Sequence, residues 1–552
     1  MEPVGTRAVD EGMAQMTRRF VTPGWLWPLL AGATFRFGLL FTWEGAETDG
    51  ITRTLYAEQW LKGLKPLFGV TTWPELNYIL PALAIRVGRD SYWAPRILFA
   101  IISLLLIPAV WHLSRRLADR GDARTVAWSA ALLPSIALFS TSGARSELIA
   151  AIGTMIALIG FLRWDYGRGR LFDVLLAASG VVVTEGMRFD GVLVGAVLGS
   201  ILLADVLVRP TGPDRTQRVS GMLIFGAACL VYPVALAVKW NATYGDPLHF
   251  LHTAQVNTRQ FLDAGGHSRW PKWIFLTYSL AFVPVAIGYL LTPVVTMLCL
   301  LGAWCSRLTW KTAPLFSVLL VQWAFIVKNV LSFTQQTQLR YALPLGLLLL
   351  PFLSEGFRVA CGIGTRCGIH RARALLTVAV VCGVVAVEGI AAVSTTRQLG
   401  VLTRQLSGTG LWQVNQFAAS RALQEASTRG QNGDRLLLQA FVGSPYAQLS
   451  KTFREGKLSV VHMPIYQTTN LVYELSDYQE ELERRLSQVR FAIVNTSPEV
   501  LGFKNGILAS DPLGAAVNQA SAAPFRWRSL SFRSIGTFGS IALLERIPSA
   551  TP

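Results

Sequence analysis

Between Trp25 and Val393 the chain returns repeatedly to apolar runs of similar length. Each is close to the ~20 residues that carry an α-helix across a ~30 Å hydrocarbon layer. A segment in lipid must pair every backbone N–H and C=O internally, and a lone segment does so only as a helix. The runs fall at 22–41, 96–112, 126–141, 146–162, 171–184, 190–208, 219–239, 274–304, 312–331, 341–357 and 374–393. The expected fold is therefore an α-helical polytopic membrane protein with about 11 transmembrane helices. Composition agrees, since 52% of the 552 residues are hydrophobic and only 15% are charged. That balance is too apolar for a soluble enzyme of this length.

Arginine orients the runs. The formal net charge is +17, which in a soluble chain points to nucleic acid. Here the cations sit in short loops: Arg115, Arg116, Arg120 and Arg124; Arg163, Arg168 and Arg170; Arg209, Arg215 and Arg218; Arg358, Arg366, Arg371 and Arg373. Cytoplasmic loops carry such an excess, so no nucleic-acid partner is expected. Arg18 and Arg19 precede the first run and no small-residue cleavage site follows it. Residues 1–21 thus read as a cytoplasmic N-terminal segment, not a removed signal peptide. Residues 22–393 form the membrane domain, with a long outer loop at 42–95. The expected location is the plasma membrane, crossed many times.

From 394 to 552 the character changes. Short apolar runs at Leu436–Val442, Leu458–Ile465, Phe491–Asn495 and Ile541–Leu544 alternate with helical patterns at Trp412–Ser427, Pro445–Glu455 and Leu471–Val489. This predicts an extracytoplasmic α/β domain. The six cysteines, Cys229, Cys299, Cys305, Cys361, Cys367 and Cys382, fall in spans or basic loops, so no disulfide framework is expected. Cys361, Cys367 and His370 fit no standard zinc spacing.

Polar groups gather at every outer junction. The first loop supplies Glu44, Glu47, Asp49, Arg53 and Glu58. Later junctions supply Arg145 and Glu147, then Glu185, Arg188 and Asp190, then Asn241, Tyr244, Asp246, His249 and His252, and finally Arg340 and Tyr341. Carboxylates are costly beside hydrocarbon and are usually kept for chemistry or ion binding. A carboxylate can take a proton from a hydroxyl or amine. Arginines can hold a phosphate. A substrate with a lipid tail and a phosphate head suits such a rim. The bland readings stand beside this one. Asp49 is placed to cap the helix at Ile51–Trp60, Arg145 and Glu147 can pair with each other, and Arg340 can snorkel to the interface. His249 and His252 are three apart, which permits shared metal binding, but no third ligand is evident.

ETDGITRTLYAEQWLKG, TWPELNYILPALAIRVGRDSYWAPRIL, SGARSELIAAI, TEGMRFDG, YGDPLHFLHTAQ and LRYALPLGLLLLP occur in that order on one side. Together they resemble the GT-C superfamily of polytopic glycosyltransferases. The resemblance is nearest to the family of bacterial lipid A aminoarabinose transferases and protein O-mannosyltransferases. It covers most of 22–357. Two positions depart from the pattern: Arg53 replaces a Tyr in the first-loop helix, and Glu75 replaces a second proline after Trp73-Pro74.

The resemblance implies transfer of a sugar from a polyprenyl-phosphate donor to an extracytoplasmic acceptor. That acceptor is a glycan, lipid or protein. Asp49, or its rival Glu47, would be the base. Arg340, Arg145 and Arg188 would hold the donor phosphate. Glu147, Glu185, Asp190, Tyr341 and Asp246 would contact substrate. No cofactor is expected; a divalent metal is permitted but not indicated. The alternative is a transporter or flippase of a lipid-linked anion, which would need no base and would carry its ionisable groups near the midplane. A third reading is a non-catalytic assembly subunit.

Overall fold

The computed structural model of the chain describes residues 23–42, 53–54, 57, 60–61, 74–90, 93–117, 122–141, 146–165, 169–209, 215–249, 252, 271–306, 309–332, 339–367, 369, 371–397, 421–439, 458–463, 475–496, 501–502, 508–509, 512–520, 524–538 and 541–548. The membrane part is a bundle of α1 (Leu26–Thr42), the short α2 (Leu76–Gly88), α3 (Trp93–Leu104) and α4 (Leu106–Leu117). Next come α5 (Ala123–Leu132), α6 (Pro134–Thr141), α7 (Ser146–Trp164), α8 (Leu171–Met187), α9 (Gly191–Val208) and α10 (Arg215–Tyr244). Then follow α11 (Lys272–Leu291), α12 (Pro293–Cys305), α13 (Ala313–Leu331), α14 (Leu339–Leu349), α15 (Leu353–Arg366) and α16 (Ala372–Arg397). Among the described residues, seven helices are long and apolar enough to cross a membrane, or eight if the bent α5–α6 pair counts as one. α3 and α4 together make one of them, Trp93–Leu117.

Two expected spans are not single straight helices. The run at 274–304 breaks at Thr292, whose φ is 71°. Proline disfavours the helical region for the residue before it, and Pro293 opens α12 while the Thr292 hydroxyl accepts the Val295 N–H at 3.4 Å. The run at 126–141 bends by 52° between α5 and α6. Pro134 has no N–H, so the Ala130 carbonyl loses its partner one turn on. Arg36 in α1 makes up the loss. Its Nη2 donates to the Ala130 carbonyl at 3.0 Å and its Nη1 to the Ala131 carbonyl at 3.1 Å. The side chain is wholly buried. An intramembrane arginine is thus spent on a broken helix end.

The α7–α8 hairpin is the tightest packing near the site. A Cβ on Gly160 would lie 2.4 Å from the Ala177 nitrogen, and one on Gly180 2.4 Å from the Ala157 nitrogen. Only glycine lets the two backbones come this close, the usual way helices associate where lipid is as apolar as leucine. The Thr184 hydroxyl then donates across to the Ala150 carbonyl at 3.2 Å. This fixes the height of the α8 end against the α7 start.

The C-terminal region forms a six-stranded sheet in the order β2-β1-β3-β8-β7-β6. The strands are β1 (Asp434–Gln439), β2 (Leu458–Met463), β3 (Phe491–Asn495), β6 (Phe525–Trp527), β7 (Leu530–Phe538) and β8 (Ile541–Ile547), with β4 (Leu501–Gly502) and β5 (Leu508–Ala509) as a separate pair. β2, β1 and β3 are parallel and the rest of the sheet is antiparallel. Side chains alternate faces along a strand. Leu437, Val494 and Leu544 meet Leu482 and Leu486 of α17 (Leu475–Leu486) and Leu513 of α18 (Pro512–Gln519). Leu436, Ile493 and Leu543 meet Leu423 and Ala426 of the helical segment 421–429. Burial on both faces explains the continuous apolar runs.

Candidate functional site

Three expected rim junctions come together. Glu147 opens α7, Arg188 follows α8, Asp190 precedes α9, and Arg340 and Tyr341 open α14. Glu147 is buried, and its Oε1 lies 3.7 Å from Arg188 Nη1 and 3.7 Å from Arg340 Nε. Those separations exceed the ~2.7–2.9 Å of a charge-assisted hydrogen bond. Arg188 is gripped more firmly on its other side, by a bidentate pair with Asp190 at 2.8 and 2.9 Å. The ring of Tyr341 lies beneath both guanidinium groups, 5.3 Å from Arg188 and 5.2 Å from Arg340. Two cations, two carboxylates and one phenol therefore share one pocket of low exposure at one end of the bundle. Such a site suits a ligand carrying an anion and several hydroxyls.

The other expected residues lie elsewhere. Glu185 is fully buried, and its side chain faces α9 and α10, where its Oε1 is 3.4 Å from the Cβ position of Gly195. Neither of its oxygens has a hydrogen-bond partner among the described residues. Arg188, three residues on, has left the helix in extended conformation, with φ −149° and ψ 133°. Asp246 sits beyond α10 in a surface turn. It accepts the Leu248 N–H at 2.9 Å and pairs with His252 Nδ1 at 2.6 Å. The Leu248 N–H first, and then His252, hold its carboxyl below the usual range. His249 stacks on Tyr244 with ring centroids 3.9 Å apart, and no group of three metal ligands occurs among the described residues. Asp49, Glu47 and Arg145 lie outside the described residues.

Two residues that join the site to the first loop were not expected from sequence. Asn77 is fully buried. Its Nδ2 donates to the Met187 carbonyl at 2.8 Å and to the Pro74 carbonyl at 3.1 Å. Met187 immediately precedes Arg188, so Asn77 fixes the backbone that aims that guanidinium. Glu75 is also buried and accepts a hydrogen bond from the Tyr232 hydroxyl of α10. The signals were present: a lone tyrosine inside an apolar span, and a carboxylate where the resembled pattern has proline. From the other direction, Ala57 and Trp60 of the first loop pack on Tyr78 and Ala82 of α2. Ala57 and Trp60 are thereby fastened to α2, and α2 to α8 and α10.

No family profile and no curated protein sequence matches the chain. Among solved structures, it is similar to ArnT from Cupriavidus metallidurans bound to undecaprenyl phosphate, with a TM-score of 0.53 at 13% identity, over 96% of this chain and 99% of that one. Similarity to the same protein in the apo state gives 0.50 at 12% identity, over 92% and 95%. The oligosaccharyltransferase AglB of Archaeoglobus fulgidus gives 0.46 at 12% identity, over 86% of this chain and 69% of that one. The ArnT likeness shows the fold: a GT-C-like helical membrane bundle followed by a small sheet.

Proposed function

We propose that the chain is an integral-membrane glycosyltransferase that takes its sugar from a polyprenyl-phosphate donor. The observation that carries this reading is the convergence of Arg188, Arg340, Glu147, Asp190 and Tyr341 from three separate junctions onto one end of a GT-C-like bundle. The ArnT structure with undecaprenyl phosphate, a lipid with one anionic head, supports the donor class. In this reading the N-terminus and the arginine-rich loops are cytoplasmic, and the Arg188 end and the C-terminal sheet are extracytoplasmic.

The acceptor's hydroxyl or amine attacks the anomeric carbon of the donor. The bond from that carbon to the phosphate oxygen breaks, and its electron pair leaves with the lipid phosphate. The acceptor proton passes to Asp49 or Glu47. Charge grows on the departing oxygen, so donors aimed there stabilise the transition state more than the ground state. Arg340 and Arg188 supply those donors. The 3.7 Å contacts to Glu147 leave the Glu147 side of each arginine open to a phosphate oxygen, while the Asp190 pair keeps Arg188 aimed. Arg145 belongs to the same junction as Glu147. Asp190 holds Arg188 in place, while Glu147 and Tyr341 meet the sugar. Glu185 and Asp246 stand outside this cluster. Incubating the purified protein with candidate polyprenyl-phosphate sugars tests the reading. Release of free lipid phosphate that requires an acceptor is the expected result. No release from any sugar class, by protein shown to be folded, counts against it.

A further inference from the structure

At the opposite end of the bundle, where α4 finishes and α5 begins, two arginines flank one indole and a third follows in sequence. The Arg115 guanidinium lies 4.9 Å over the ring of Trp111. Arg124 comes from the other side; its Nε and the Trp111 Nε1 are each 3.2 Å from the Cβ position of Gly24. A side chain at residue 24 would push into this junction. His112 stands edge-on to the same ring at 4.7 Å. Arg116 follows Arg115 and is exposed like it.

These cations differ from many on the same face. Arg163 is paired with Asp173 at 2.7 Å, Arg209 and Arg218 share Asp205 at 3.5 and 3.8 Å, and Arg358 pairs with Glu355. Arg115, Arg116 and Arg124 have no carboxylate partner among the described residues. The nearby Asp122 is spent on the backbone N–H of Arg124, which it caps at 3.0 Å. An apolar stripe leads away from the cluster: Trp128 and Leu132, at spacings of four from Arg124, are 40% and 47% exposed. Helical spacing of four places all three on one face.

We infer that Trp111, Arg115, Arg116 and Arg124 form a headgroup site for an anionic phospholipid, with the acyl chains lying along Trp128 and Leu132. The phosphodiester supplies the missing negative charge, and the indole sits at headgroup depth as interfacial tryptophans do. The site lies at the other end of the bundle from the proposed donor site. It depends on the membrane reading and on no sugar chemistry. In the proposed orientation it draws from the cytoplasmic leaflet, the anionic one in many membranes.

The test uses the full chain in nanodiscs of phosphatidylcholine mixed with phosphatidylglycerol, followed by native mass spectrometry of the released protein. Both leaflets have the same composition, so the outcome is independent of orientation. The wild type is expected to retain a bound phosphatidylglycerol. The Arg115→Gln, Arg124→Gln pair is expected to weaken retention about fivefold per arginine, roughly twenty-five-fold together. The control is Arg371→Gln, Arg373→Gln, which removes the same charge from the same face away from the indole, and is expected to leave retention unchanged. Equal loss in both pairs would reduce the effect to bulk charge and overturn the site. Undiminished retention in the first pair would do the same. Transfer activity is not the readout, so failure here and failure of the glycosyltransferase reading are separable.

Discussion

Two of the places that combine arginine with carboxylate, one in the sheet and one in the bundle, do so in opposite ways. In the sheet, Arg490 reaches Asp434 at 2.7 Å and Glu545 at 2.9 Å, and Arg533 joins Glu545 on the neighbouring strand. The contacts are short, and both arginines are partly exposed. In the bundle, Glu147 is buried and stands 3.7 Å from each of two arginines. The short network has complete geometry, and its energetic value is modest because water competes for the partly exposed arginines, although Glu545 itself is buried. The one in the bundle is held more loosely on its Glu147 side. Burial makes its charges expensive, and the Glu147 oxygen stands beyond charge-assisted hydrogen-bond length from both arginines. Short pairs between strands read as architecture, and a buried carboxylate at long range from two arginines reads as a binding site.

Substitution should therefore separate the two regions. The largest effect is expected in the first loop. Asp49→Asn keeps size and removes the base, so transfer should fall by ~10²–10⁴-fold with donor binding retained. Glu47→Gln tests its rival. Near-normal turnover by a folded double variant would end the general-base proposal. Next, Arg340→Ala should weaken donor binding and rate together by ~10–100-fold, the value of a hydrogen bond to a charged group. Arg490→Gln in the sheet should leave both untouched, and a similar loss there would erase the contrast.

Smaller again is Asn77→Ala. It leaves the Met187 carbonyl buried without its donor, a cost of ~1–3 kcal/mol. A rate loss of ~10-fold is expected, since misplacement of Arg188 is felt in the transition state. Thermal melting and donor titration on the same sample distinguish this from general unfolding. The smallest effect concerns α17. Arg484 and Arg485 both bond Glu481 and hold its carboxyl down at about 2. A depressed carboxyl contributes stability above its unfolded value of ~4.3, and this is lost as pH falls toward the folded value. Glu481→Gln should cost ~0.5 kcal/mol near neutrality and progressively less as pH falls from ~4 toward ~2, because the pair is largely solvated. A pH-independent difference in melting would contradict the assignment.

Most of the bundle was legible because lipid imposes one length and one hydrogen-bonding solution on every span. The gathering of Arg188, Glu147 and Arg340 was legible as a list of residues on one side, but not as a constellation. Their distances depend on how Gly160 and Gly180 set the α7–α8 approach. The bidentate Arg188–Asp190 pair was visible as a spacing of two, yet nothing local says it closes on itself. Long-range partners were invisible: Tyr232 meets Glu75 and Asn77 meets Met187 across 157 and 110 residues. In the sheet, β1, β2, β3 and β8 announced themselves as short stretches rich in Leu, Val and Ile. β7 did not, because LSFRSIGTF alternates with serine and glycine and is mostly half-buried. α18 was missed for a similar reason, being short and bracketed by small residues. The expected helix at Pro445–Glu455 lies outside the described residues.

The Arg36 bridge bears on how the chain is made. The first helix emerges from the ribosome carrying a guanidinium within its apolar run, and placing arginine at a helix centre costs the translocon ~2.5–3.5 kcal/mol. Its carbonyl partners at Ala130 and Ala131 are synthesised 94 and 95 residues later. Until then the helix is only marginally committed to the bilayer. Insertion of the first and the bent helices is thus a joint event during synthesis. Replacing Pro134 with alanine would return an N–H to the Ala130 carbonyl and compete with Arg36 for it, leaving the guanidinium its bond to the Gly32 carbonyl of its own helix. The expected result is a nascent chain that inserts less efficiently, not a mature protein with altered activity.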